Sequence, residues 1–151
     1  MAFYSSASNA SLWRGVHYYE NGKVKSYSVI EENVIQGVVS GSEGNVYDTT
    51  INLDHPRKST CNCPFANGRK VICKHVVALY FTSVPGSYKE FKKDMEEAET
   101  LYELQEEQWR KETHQRIENF VAKLSEKEAR KRLVDILYED ALGDRYRRDY
   151  W

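Results

Sequence analysis

Residues 61–79 run Cys61-Asn62-Cys63-Pro64-Phe65-Ala66-Asn67-Gly68-Arg69-Lys70-Val71-Ile72-Cys73-Lys74-His75-Val76-Val77-Ala78-Leu79. Two pairs of metal-ligating side chains stand here, each split by a single residue, with nine residues between the pairs. Zinc takes four soft or borderline donors in a tetrahedron, and three thiolates with one imidazole satisfy it fully. An i, i+2 pair converges on one ion where the backbone turns sharply, and Pro64 after Cys63 helps fix such a turn. Ala66-Asn67-Gly68-Arg69-Lys70 supplies the polar and glycine residues of a reversal. Cys73-Lys74-His75 then opens an apolar helical run from Val76 to Phe81, so the second pair falls in a first helical turn, where free backbone N–H groups can meet thiolate sulfur. The expectation is one structural Zn²⁺ per chain, held by Cys61, Cys63, Cys73 and His75.

All three cysteines of the chain belong to this cluster. An odd, tightly grouped set reads as metal ligands in a reducing compartment, whereas a secreted disulfide framework is usually even and dispersed. With no basic flank leading into an apolar run at the N-terminus and no stretch near the ~20 apolar residues of a bilayer span, the expected setting is cytoplasmic, without a membrane. The formal net charge of −1 offers no global attraction for nucleic acid, so any such attraction must be local.

Upstream of the ligands, residues 23–60 carry β signals. Val24, Tyr27 and Val29 lead to a turn at Glu31-Glu32-Asn33. Val34, Ile35, Val38 and Val39 form a β-branched run that ends in Ser40-Gly41-Ser42-Glu43-Gly44-Asn45, and apolar residues then alternate from Tyr47 to Leu53. Three antiparallel strands are marginal alone and need a cover. One cover is the zinc segment. The other is a short helix with Leu12, Val16 and Tyr19 at helical spacing, capped by Ser8 or Asn9 and ended by Asn21-Gly22.

Downstream, Pro85-Gly86 is a break, dividing a head at 1–85 from a helical tail at 86–151. Tyr88, Phe91, Met95, Ala98 and Tyr102 step by three and four, predicting a long amphipathic helix at about 87–124. Ser125-Glu126-Lys127-Glu128 has the form of a capping box and restarts a helix at about 126–141. The fold class is therefore α+β: a small antiparallel sheet with a zinc-bound ββα unit, then a C-terminal helical hairpin.

The pattern Cys-x-Cys, loop, Cys-x-His resembles the SWIM zinc-finger family. Pro64, Gly68, Lys74 and Ala78 around the ligands, and Arg14-Gly15, Tyr18-Tyr19, Gly22-Lys23-Val24 and Val39-Ser40-Gly41-Ser42 upstream, are similar to it as well; the likeness covers about residues 12–82. The resemblance implies a few strands leading into a zinc-bound ββα unit, binding of DNA or of proteins, company such as Swi/Snf-type ATPases or transposases, and no catalysis by the zinc. Four protein ligands leave no open position for water, no Glu lies in the loop, and neither a Gly-rich phosphate loop nor a Gly-x-Ser-x-Gly elbow is present, so an enzyme is not expected.

Two classes of partner stay open. Arg57, Lys58, Arg69, Lys70 and Lys74 fall in a window, residues 55–75, that holds no acidic residue; with Phe65 they make a basic, aromatic surface suited to the phosphates and bases of DNA or RNA. The tail points to protein instead. Seven acidic residues and no Lys or Arg lie between Asp94 and Glu107, while basic residues outnumber acidic ones eight to four from Arg110 to Arg132. Such polarity suits a homodimer or a partner of opposite polarity. Tyr146, Arg147, Arg148, Tyr150 and Trp151 are of the types favoured at interface hot spots.

Overall fold

The computed structural model describes residues 2–42 and 44–149, the last six of these through their backbone alone. The architecture is α+β, a four-stranded antiparallel sheet followed by helices. Two compact units divide the chain, Met1–Met95 and Glu96–Trp151.

In the first unit a 3₁₀ turn at Phe3–Ser6 precedes α1, Asn9–Glu20. Ser8 is the N-cap, its Oγ accepting the Ser11 backbone N–H at 3.2 Å, which satisfies one of the donors a helix start leaves orphaned. Strands β1 (Val24–Glu31), β2 (Val34–Ser40) and β3 (Val46–Asn52) then form a meander, and β4 (Thr60–Cys61) pairs with β3 through Thr49↔Cys61. The β1–β2 turn holds Asn33 at φ 61°, a conformation asparagine tolerates better than most side chains.

Register decides which side chains face inward. The pairs Ile35↔Ile51, Gly37↔Thr49 and Val39↔Tyr47 lie on one face, and of these Ile35, Val39, Thr49 and Ile51 are buried. Helix α2, Lys74–Ser83, covers that face. Gly37 makes the approach close: a Cβ there would lie 2.6 Å from Leu79 Cδ1. Val76, Val77, Ala78 and Leu79 are fully buried, as a helix apolar on every side requires. The sheet takes one flank of α2, and α1 takes another. Each buried Val or Leu contributes about 1.5–3 kcal/mol.

An aromatic cluster closes the other end of this core. Phe3 stacks on Tyr80 at 4.5 Å, and Phe91 sits 5.2 Å from Tyr4, 5.3 Å from Phe81 and 5.9 Å from Trp13. Phe91 is only 1% exposed, although it follows the Pro85-Gly86 break. It belongs to α3, Ser87–Val121, whose first turns are thus part of the first unit and carry its core through to Met95. The Tyr4 hydroxyl donates to the Asp94 carboxylate, and the Tyr88 hydroxyl donates to Glu20 Oε1 at 2.5 Å.

The second unit holds the rest of α3 and α4, Glu126–Asp149, joined by a short turn and compatible with the expected helical hairpin. Ser125 and Glu128 form the capping box: Ser125 N–H donates to Glu128 Oε2 at 2.9 Å, and Glu128 N–H to Ser125 Oγ at 3.4 Å. Ion pairs at i, i+4 spacing, Glu106–Arg110, Glu107–Lys111 and Glu126–Arg130, decorate the helices. Their apolar side chains are exposed, among them Tyr102, Trp109, Ile117, Leu133 and Ile136. Among the described residues no helix is long and apolar enough to cross a membrane.

Candidate metal centre

Three elements, β4, a loop and α2, converge to place the ligands. Cys61 ends β4 and pairs across from Thr49; Cys63 begins the loop, whose Ala66 and Asn67 N–H groups both bond back to the Cys63 carbonyl, at 3.0 and 2.9 Å. Cys73 is the residue before α2, and His75 lies in that helix's first turn. The reversal between the pairs uses Gly68 at φ 70°. All four side chains are buried, and their donor atoms lie within 4.8 Å of one another.

The spacing fits zinc. Bond lengths near 2.3 Å to sulfur and near 2.0 Å to nitrogen require tetrahedral S···N edges of about 3.5 Å. His75 Nδ1 stands 3.6 Å from Cys61 Sγ and 3.8 Å from Cys73 Sγ. Nδ1 is therefore the nitrogen that faces the sulfurs. Nε2 is buried without a hydrogen-bond partner among the described residues, and the ring is held by Tyr47, at 4.6 Å and 31°, and by the edge-on Tyr18 at 5.4 Å. Outside the ligands, the Thr49 hydroxyl donates to Cys61 Sγ at 3.3 Å. Outer-shell donors of this kind orient a ligand and temper its charge.

The electrostatics show how closely the sulfurs are coupled. The Cys61 thiol is pulled below the ordinary cysteine range first by its hydrogen bond with Cys73; His75, Thr49 and the Cys63 backbone add to this and burial opposes it. Cys73 moves upward, first because it is the donor in that same bond and then because it is buried. A divalent cation bound here would take the thiols as thiolates and release their protons. The donor set and the spacing fit one structural Zn²⁺.

The basic residues expected around the ligands separate into two cavities that share no lining residue. Arg69 and Lys70 line a polar groove of 560 Å³ with Gln36, Thr50, Thr60 and Asn62. Phe65 and Lys74 instead line a cavity of 310 Å³ floored by Cys63, Cys73 and His75. Arg57 and Lys58 are exposed on a 3₁₀ turn, Pro56–Lys58, between β3 and β4. Two cation–aromatic contacts fix part of this surface: Arg69 lies 5.3 Å from the Phe65 ring centre, and Lys74 Nζ lies 4.5 Å from that of Tyr18. Arg14, Ser11, Ser42 and Tyr47 also line the smaller cavity. A window confined to residues 55–75 could not find them; the signal was helical spacing, which puts Ser11 and Arg14 on one face of α1. Of the tail residues expected at an interface, the side chains of Tyr146, Arg147 and Arg148, and Tyr150 and Trp151 altogether, lie outside the described residues.

The SWIM zinc finger family model matches residues 47–83, the span from β3 through α2 that contains all four ligands. No curated protein and no solved structure matches the chain.

Proposed function

Since residues 47–83 are a SWIM zinc finger, we propose that the chain is a non-catalytic binding module whose zinc-held head contacts nucleic acid. The observation that carries this is the groove of Arg69 and Lys70. Both side chains are exposed, and the groove between them and the sheet is lined by the amides and hydroxyls of Gln36, Thr50, Thr60 and Asn62. Its single carboxylate, Asp48, is engaged with the Asn62 side chain at 3.3 Å. Cationic and neutral donors together suit a phosphate backbone, with the exposed Phe65 ring beside Arg69 as a stacking surface. Zinc acts here as a clamp. Four protein donors complete its shell, and its role is to hold the loop that carries Arg69 and Lys70 against α2.

Anisotropy of a labelled oligonucleotide tests this across roughly 50–200 mM salt, where phosphate contacts are steeply screened. The double variant Arg69→Glu, Lys70→Glu should weaken binding and flatten the slope of log K against log salt by about 1.4 for a single strand. Affinity indifferent to salt and to both substitutions would remove the proposal.

A second reading, docking onto a protein such as an ATPase subunit or a second copy of this chain, is favoured by the tail. Tyr102, Trp109, Ile117, Leu133 and Ile136 leave their apolar surface uncovered in the second unit, more than singly scattered residues would leave. A chain ending after Met95 keeps Phe91 in the core, so it separates the two roles. Loss of a partner or of self-association on that truncation supports the reading, and undiminished recovery excludes it.

A further inference from the structure

We infer that the 310 Å³ cavity beside the zinc ligands is a nucleotide pocket, one that receives a single unstacked base with its phosphate. The inference rests on the nucleic-acid reading of the head and adds a second, deeper contact to the Arg69–Lys70 groove. The cavity has the volume of a small-ligand site, at the lower end of the roughly 300–1,000 Å³ such sites occupy. Its walls come from five separate elements that the fold brings together: Ser11 and Arg14 from α1, Ser42 from the β2–β3 turn, Tyr47 from β3, Phe65 from the ligand loop and Lys74 from α2.

The chemistry of these walls selects the class of ligand. Two cations and the hydroxyls of Ser8, Ser11, Ser42 and Tyr47 line the cavity, and among the described residues no carboxylate does, so an anion at its rim meets cations and hydroxyls. Arg14 forms no ion pair or hydrogen bond among the described residues and is exposed at the rim. Two aromatic rings, Tyr47 and Phe65, stand within the same cavity. Tyr47 is already tilted at 31° over His75, which fixes its ring as a wall, while Phe65 is 49% exposed with Arg69 5.3 Å from its ring centre. Cations plus aromatic faces are the combination by which proteins hold an unstacked nucleotide. The floor decides its orientation. Three thiolates and one Zn²⁺ carry a net −1, which repels a phosphate and tolerates a neutral base. The base therefore enters toward Tyr47 and Phe65, and the phosphate remains at the rim with Arg14 and Lys74.

The test uses the zinc-loaded full chain with two probes, a short labelled oligothymidylate and free thymidine monophosphate. Two variants alter the cavity without touching a ligand: Arg14→Ala removes the rim cation from an exposed helix position, and Ser42→Trp plugs the mouth from an exposed turn. Cobalt substitution, read through thiolate-to-metal absorption, confirms that each variant retains the metal centre. The expected result is a loss of about tenfold in oligonucleotide affinity for either variant, the size of one charge-assisted contact. Thymidine monophosphate should shift the backbone amides of Ser11, Arg14, Ser42 and Phe65 in the parent and not in Ser42→Trp. If Arg69→Glu with Lys70→Glu weakens the oligonucleotide while Arg14→Ala and Ser42→Trp leave it unchanged, the pocket is overturned and the groove stands. If neither probe binds the parent chain, both proposals fall together.

Discussion

Gly15 of α1 lies so close to Val77 of α2 that a Cβ on Gly15 would sit 2.4 Å from the Val77 Cβ and 3.0 Å from the Lys74 carbonyl oxygen. Neither neighbour can yield easily, because Val77 is fully buried and the carbonyl belongs to the first turn of α2. Gly15→Ala should therefore destabilise the head by about 1–3 kcal/mol, the usual cost of overpacking a close-packed contact. The same change in a helix with open space has the opposite sign: Gly143→Ala, where nothing lies within 4 Å, should stabilise α4 by up to about 1 kcal/mol. Thermal unfolding of both variants checks the pair. Because alanine keeps the Cβ that makes the nearest contact, Val77→Ala should not rescue Gly15→Ala, and the double variant should remain destabilised.

Zinc removal should act on one unit and spare the other. The ligands tie β4, the loop and α2 together, and α2 is the element against which the sheet and α1 pack. Because a site formed by folding returns its binding free energy as folding free energy, a chelator or Cys73→Ser should cost the head more than about 4 kcal/mol. Near-ultraviolet dichroism from the core tyrosines should collapse first, while the far-ultraviolet helical signal of the second unit persists. Unchanged melting of the head after chelation would reduce the metal to an ornament.

What could be read beforehand was local, and what could not was long-range. The ligands, the capping box at Ser125 and Glu128, and the strands β1, β2 and β3 each announce themselves within a few residues, through donor spacing, a cap signature or alternation, whereas the two-residue β4 does not. Ser8 as the α1 cap is of the same kind. Phe91 is different. It continues the stripe that begins at Tyr88, and nothing in that spacing distinguishes the part that enters the aromatic core from Tyr102 and Trp109, which stay exposed. The 3₁₀ turn of Phe3 and Tyr4 was hidden for a related reason: four residues have no periodicity, and their place is set by Tyr80 and Phe91, more than seventy positions away in the chain. The smaller cavity needs five elements at once, so no window could have assembled Arg14 with Ser42 and Lys74.

The start of α4 should weaken in acid. Glu128 is held below the ordinary glutamate range, first by the Ser125 hydroxyl and then by the Ser125 backbone N–H. A carboxyl depressed in the folded state contributes stability above its unfolded value and loses it as pH falls through the folded value. Hydrogen exchange at the first turn of α4 should therefore speed up as Glu128 protonates. Glu128→Gln should remove that pH dependence, and Ser125→Ala should fray the turn at neutral pH, since it takes away the cap itself.

The junction of α1 with α3 should fail at the opposite end of the pH scale. Tyr88 donates to Glu20 at 2.5 Å, and that hydrogen bond, with burial and the negative charge of Glu20 added, pushes the phenol up to about 12. Tyr4 is raised as well, first by burial and then by its bond to Asp94. A raised folded value means the contribution is complete below the ordinary phenol range, near 10, and is lost as pH climbs from there through about 12. An ultraviolet titration of the eleven tyrosines should thus show an early group followed by late ionisation that coincides with opening of the head. Tyr88→Phe removes the donor, so it should lower stability at neutral pH and shrink the alkaline loss. Should Tyr88→Phe leave the alkaline unfolding midpoint where it was, the tie to Glu20 is a surface contact without consequence, and the packing of Phe91 with the Tyr4–Asp94 bond secures α3 to the head.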